Sequence, residues 1–163
     1  MASGSTDRVD CARLAEDAAV LERVYPLSEL PRLKDLLADA RGSLRARFAF
    51  SKLAVGRAGA AVAVEARPRL VCQRCLQAFE LPLVSDSEIE FAAEDADASV
   101  ESAREIYLMD KGSVSLRELA EEELLLALPV VAACSTPEAC GQAPPQEERA
   151  RPFSVLKDLL KKT

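Results

Sequence analysis

Histidine and tryptophan are both absent from the 163 residues. Without an imidazole the chain holds no Ser-His-Asp triad, no His-ligated zinc and no histidine acid or base. Aromatic residues reach only 4%, so the interleaving of rings with basic side chains that stacks single-stranded bases is missing. No segment approaches the roughly 18 to 20 unbroken apolar residues that cross a bilayer. The opening MASGSTDRVD also lacks a basic start followed by an apolar stretch. A cytoplasmic protein with no membrane partner is therefore expected. Glycine-rich phosphate loops, nucleophile elbows and His–carboxylate pairs are missing too, which points away from an enzyme and from a small-molecule substrate.

What is present reads as a globular chain. An apolar share of 49% against 29% charged suffices for a real core. Residues 1–145 are expected to form a single domain, followed by a linker and a C-terminal helix over 146–163. DRVDCARLAED has the composition of a helix and AVLERVYPL reads as extended. Ser28 opens a second helix, SELPRLKDLLADA, with Leu30, Leu33, Leu36 and Leu37 on one face. Cys11, alone in the first helix, reads as a small apolar residue.

From Arg41 the period changes to two. Leu44, Ala46, Phe48 and Phe50 alternate with Arg45 and Arg47. Past a turn at Gly56, Ala58, Ala60, Val62 and Val64 face in while Arg57, Glu65 and Arg67 face out. Phe79, Leu81, Leu83, Ile89 and Phe91 share odd parity and predict one long bent strand or two shorter ones, and EIYLMD predicts a short strand. The expected fold is α+β: an antiparallel sheet of about four to five strands flanked by helices, with a CxxC in one connection. The acidic, small-residue stretch 92–105 reads as a mobile loop or a poorly held helix.

The clearest helix is SLRELAEEELLLAL, with Ser115 and Glu118 spaced as a capping box and Pro129 as its stop. Leu116, Leu119, Ala120, Leu124 and Ala127 form its apolar stripe, and Glu123 falls in the middle of it. That anomalous carboxylate either reaches an edge or an arginine, or is buried for a ligand or partner. The last segment, RPFSVLKDLLKK, places Phe153, Leu156 and Leu160 on one side, a candidate partner-binding helix.

Five cysteines make an odd number, poor material for a disulfide framework in a reducing compartment. Cys72 and Cys75 have the spacing of a zinc knuckle. Cys134 and Cys140, separated by five residues, are looser than the usual two to four. Together the four offer a tetrahedral thiolate site for Zn(2+). Burial as small apolar residues is the plain alternative. A thioredoxin-like role is disfavoured because that chemistry wants a helix N-terminus, not a site between strands.

The net charge of -6 is unevenly spread. Arg41 to Cys75 carries eight basic residues against Glu65, whereas Val84 to Glu105 carries eight acids against Arg104. Arg45, Arg47, Arg57, Arg67, Arg69 and Arg74 are thus candidate contacts for RNA phosphates or for an acidic protein partner.

CQRCLQAF after an arginine-rich hairpin, an acidic stretch, EEELLLALPVV with cysteines just behind it, and RPFSVLKDLLKK occur here in a fixed order. As an ordered set they resemble the YceD family of large ribosomal RNA subunit accumulation proteins, over nearly the whole chain from Asp7. The resemblance implies a bacterial, cytoplasmic, non-enzymatic ribosome-biogenesis factor that supports synthesis, processing or stability of large-subunit ribosomal RNA. Its partner would be that RNA, a pre-ribosomal particle or an assembly protein. The matching positions are Cys72, Cys75, Glu121 to Pro129, Pro152 and Phe153. A protein–protein adaptor acting through the terminal helix, or a zinc or thiol redox sensor, are the alternatives.

Overall fold

The change of period at Arg41 marks the middle of a five-stranded sheet. In the computed structural model, which describes residues 7–53, 57–93, 104–135 and 140, strand β3 (Ser43–Lys52) buries Leu44, Ala46, Phe48 and Phe50. It pairs antiparallel with β4 (Ala58–Ala66), so that Phe48 stands opposite Val62 and Leu44 opposite Ala66. β2 (Val20–Pro26) lies outside β3, and β7 (Leu83–Ala93) and then β8 (Glu105–Met109) lie beyond β4.

The expectation of an all-antiparallel sheet is corrected here, because β8 runs parallel to β7, with Ile89 opposite Glu105. The reason is connection length. A hairpin reverses direction within a few residues, but residues 94–104 are long enough for the crossover that parallel neighbours need. The strand count also exceeds the expected four to five: β1 (Arg8–Asp10) pairs with β9 (Ser113–Ser115), and β5 (Arg69–Val71) with β6 (Ala78–Glu80), as separate two-stranded ribbons.

Helices α1 (Cys11–Glu16) and α3 (Leu116–Ala127) cover one face of the sheet. Leu44, Phe48, Val62 and Ile89 from the sheet join Leu116, Leu119 and Leu124 from α3 in one buried cluster. Ser115 caps α3 as its spacing predicts, its hydroxyl accepting from Glu118 N at 3.4 Å. Asp10 does the same for α1 through Arg13 N at 3.1 Å. Cys11 is fully buried, and burial, with the Asp10 charge adding to it, pushes its thiol pKa up to about 12. That is an inert core thiol.

Two predicted helices are shorter than their sequences suggest. Arg8–Asp10 is drawn into pairing with Ser113–Ser115, and Leu116 N donates to Asp7 O at 2.9 Å, so the first helix starts at Cys11. After a 3-10 turn at Leu27–Glu29, the second is only the four residues of α2 (Pro31–Lys34). Leu30 and Leu33 are buried as expected, but Leu36 is 53% exposed. Ala38 N donates to Arg69 O at 2.7 Å, which pulls the chain out of the helix and alongside β5.

Among the described residues, no element covers the other face of the sheet from β2 to β7. That face carries Val20, Glu22 and Val24 from β2, Arg45 and Arg47 from β3, Ala61 and Glu65 from β4, and Val84, Asp86 and Glu88 from β7. At one end Leu53 folds over Gly59, where a Cβ would lie 2.8 Å from Leu53 Cδ1 and 2.9 Å from Ile89 O. Gly56, the expected turn residue, lies outside the described residues. No helix among the described residues is long and apolar enough to cross a membrane.

Candidate metal centre

The β5–β6 hairpin is short because its tip is a cysteine loop. Cys72 N donates to Gln77 O at 2.9 Å and Leu76 N to Cys72 O at 2.8 Å, which turns both cysteine side chains to the same side. Leu76 closes the loop at φ 60°, a left-handed conformation that is unusual for a residue with a Cβ. The chain leaving α3 then passes beside this tip. Gln73 N donates to Ala132 O at 2.8 Å, and Arg74 Nη2 donates to Cys134 O at 2.5 Å. These bonds bring in Cys134, and Cys140 follows it.

The four sulfur atoms lie within 4.8 Å of one another. Cys72 Sγ is 3.7 Å from Cys140 Sγ, and Cys75 Sγ is 3.9 Å from Cys134 Sγ. A tetrahedron built on zinc–thiolate bonds of 2.3 Å has edges of about 3.8 Å. Two of the edges therefore already have the length the ion requires, and the separations are far too long for disulfides. All five cysteines of the chain are free thiols. Cys72, Cys75 and Cys134 are buried, and Phe79 and Ala133 pack against them in a cluster separate from the main core.

The sulfurs are not electrostatically equivalent. The backbone N–H of Cys75 chiefly, with those of Cys134 and Arg74 at 3.4 Å each, lowers the Cys72 thiol to about 5 against the effect of burial. Burial, followed by the neighbouring sulfurs, pushes Cys134 up to about 12. Burial also raises Cys140. The loop thus prepares a thiolate at Cys72. A soft divalent cation in the centre stabilises the thiolate form of every ligand, so metal uptake releases protons. The donor set, the burial and the spacing fit Zn(2+).

The six candidate arginines do not form one positive surface. Arg45 pairs with Glu65 at 3.7 Å, Arg47 with Glu22 at 3.7 Å and Arg67 with Glu80 at 3.9 Å. Arg69 holds Asp39 at 2.6 Å, and Arg57 bonds the buried carboxylate of Glu90. The Asp39 carboxyl is held well below the usual carboxylate range, first by its hydrogen bond from Arg41 and then by Arg69. Arg74, at the cysteine loop, has no carboxylate partner among the described residues. Phe153, Leu156 and Leu160 lie outside the described residues, as does most of the acidic stretch.

Glu123 is buried against β7. Ser85 Oγ lies 3.4 Å from its Oε2; the Ser87 hydroxyl is near enough to favour the carboxylate yet makes no full hydrogen bond. Burial raises its pKa, the two hydroxyls oppose that, and Glu105 and Glu122 add to it. A carboxyl whose folded pKa exceeds its unfolded one stabilises the fold below the unfolded value, and loses that contribution as pH rises through the folded value. Glu123→Gln is therefore expected to stabilise the protein at pH 7 by on the order of 1 kcal/mol. The gain should shrink as the pH falls through the raised folded value and be gone by about pH 4, below the unfolded one. Thermal melts of both proteins at the two pH values check this; a loss of stability at pH 7 would show that the charge itself is used.

Glu121 enters the sequence reading only as the first residue of the Glu121–Pro129 motif, with no structural role, yet among the described residues it is a deeply committed carboxylate. It is 2% exposed, and its Oε1 accepts from Arg32 N at 2.6 Å and Leu33 N at 3.0 Å. Helix α2 has Leu30 at its N-cap and no capping side chain of its own, and that was the available signal.

The fold and the site define a class of protein: a mixed α+β domain with a half-open sheet, to which a separate four-cysteine ribbon is attached. A family model described as "Large ribosomal RNA subunit accumulation protein YceD" matches residues 60–160, and the chain belongs to that family. The match runs from within β4 through the cysteine loop and α3 and includes both cysteine pairs. No solved structure matches the chain.

Proposed function

We propose that the chain is a non-enzymatic factor in large-subunit ribosomal RNA accumulation, that its four cysteines hold a structural zinc ion, and that it works by contacting a protein of the assembling particle. The family match carries the biological role. The donor set carries the zinc reading, since four thiolates at tetrahedral spacing leave no open coordination position for catalysis.

A protein contact is favoured over a direct grip on RNA by the charge of the open sheet face. There Arg45 is paired with Glu65, Arg47 with Glu22, and Arg104 with Glu88, so the face carries balanced charge and not a row of unmatched guanidinium groups. Val20, Val24 and Val84 are 51%, 62% and 70% exposed on the same face, and a shallow groove of about 510 Å³ runs past Val24, Ala63 and Val84. Apolar side chains framed by charge suit a protein surface with basic residues at its rim.

The test is co-sedimentation with precursor large-subunit particles. Val24→Asp with Val84→Asp is expected to abolish association, and nuclease treatment of the captured complex should leave the protein partner bound. Loss of association on Arg45→Glu with Arg47→Glu, combined with a steep salt dependence, would assign the contact to RNA instead. Loss on Phe153→Ala alone would assign it to the C-terminal segment.

A further inference from the structure

We propose that Arg74 is the charge-compensating and positioning residue of the cysteine centre, clamping the Cys134 segment onto the Cys72–Cys75 loop. The inference rests on the metal reading above.

Arg74 lies inside the loop, where its backbone N–H donates to Cys72 Sγ at 3.4 Å. Its side chain crosses to the other half of the ligand set, and Nη2 donates to Cys134 O at 2.5 Å, a contact spanning 60 positions of sequence. One residue thereby touches both halves of the centre. Gln73 N, donating to Ala132 O at 2.8 Å, is the neighbouring tie. It fixes the backbone but brings no charge.

Charge separates Arg74 from the other arginines of this region. Each of Arg45, Arg47, Arg57, Arg67 and Arg69 faces a carboxylate, whereas Arg74 has none among the described residues. Four thiolates around one divalent cation retain a net negative charge, and three of these cysteines are buried. A permanently charged cation beside such a site lowers the cost of burying that charge, and a guanidinium keeps its proton at any physiological pH. This guanidinium, without a carboxylate among the described residues, and the negatively charged centre compensate each other. A planar group also donates to the Cys134 carbonyl in a fixed direction, which a lysine ammonium does less well.

The test uses the full chain as wild type and as Arg74→Lys, Arg74→Gln and Arg74→Ala. Zinc affinity is measured against a chromophoric chelator, and cobalt(II) absorption reports the geometry of the thiolate shell. Arg74→Ala and Arg74→Gln are expected to weaken zinc binding about 10–100-fold, as loss of outer partners to a metal site does. Arg74→Lys should recover most of the affinity, and the gap between Lys and Gln should narrow at high salt. Equal zinc affinity and identical cobalt spectra for wild type and Arg74→Ala overturn the proposal. Equal losses in the Lys and Gln variants overturn its charge component. If wild type itself takes up neither metal, the zinc reading fails first, and the wild-type titration alone reveals that. Should Arg74→Ala not fold, the Lys and Gln pair carries the comparison.

Discussion

Cys72→Ser is expected to abolish tight zinc binding and to loosen the 69–80 ribbon together with the segment around Cys134, while the five-stranded sheet stays folded. The ribbon pairs only three residues on each side, and an isolated two-stranded hairpin is at best marginally stable in water. Its apolar cluster consists largely of the cysteines themselves. Structural zinc supplies about 10–16 kcal/mol of apparent binding free energy in small zinc-dependent folds, far more than such a cluster. The base of the ribbon has other anchors: Leu81 N donates to Pro68 O at 3.0 Å, Ala38 N donates to Arg69 O at 2.7 Å, and Asp39 pairs with Arg69. Loosening should therefore begin at the tip, over Cys72–Gln77. Hydrogen exchange on the wild type with and without chelator, and on Cys72→Ser, measures this directly. Unchanged protection at the tip after chelation would show that protein contacts alone hold the loop. Acidification should mimic chelation, because protons compete with the metal for thiolates.

Glu121→Ala is expected to destabilise the whole domain by about 2–3 kcal/mol, since it leaves the buried Leu33 N–H and the part-buried Arg32 N–H without their acceptor. Glu121→Gln keeps an oxygen at the same place and loses only the charge, so about 1 kcal/mol is expected there. The neighbouring Glu122 provides the control. It lies 3.8 Å from Arg32 Nη1, with both side chains about half exposed, and such a pair contributes under about 1 kcal/mol. Urea denaturation of the three variants should give midpoints in the order Glu122→Ala, Glu121→Gln, Glu121→Ala, from the smallest loss to the largest. A loss below about 1 kcal/mol for Glu121→Ala would mean that water replaces the carboxylate. Because α2 is the contact of the 30–34 segment with α3, the cap joins two regions 88 residues apart.

Both predictions turn on features that differ in how plainly the chain announces them. The alternation from Leu44 to Val64 and the Ser115 cap of α3 are local patterns, and each appears in the structure where its spacing places it. The cysteine centre is intermediate. Spacing identified Cys72 and Cys75, but the second pair is brought to them by the path of the chain after Pro129, not by its own spacing. The alternation that places the arginines says which face each occupies and nothing about the carboxylates of the neighbouring strands. Glu65, Glu22 and Glu80 become partners only through register.

Legible in the residues alone were the α+β class, the strands of the central hairpin, the capped helix, the Cys72–Cys75 pair and the family. All of these depend on short periods, on local caps or on an ordered set of motifs. The tertiary structure alone decided the parallel placement of β8, the pairing of five arginines with acids, the cap that Glu121 lends to α2 and the position of Arg74 between the two cysteine pairs. Each of these joins residues far apart in the chain. Such contacts follow from how the sheet, helix and ribbon close on one another, and no local pattern encodes that closure.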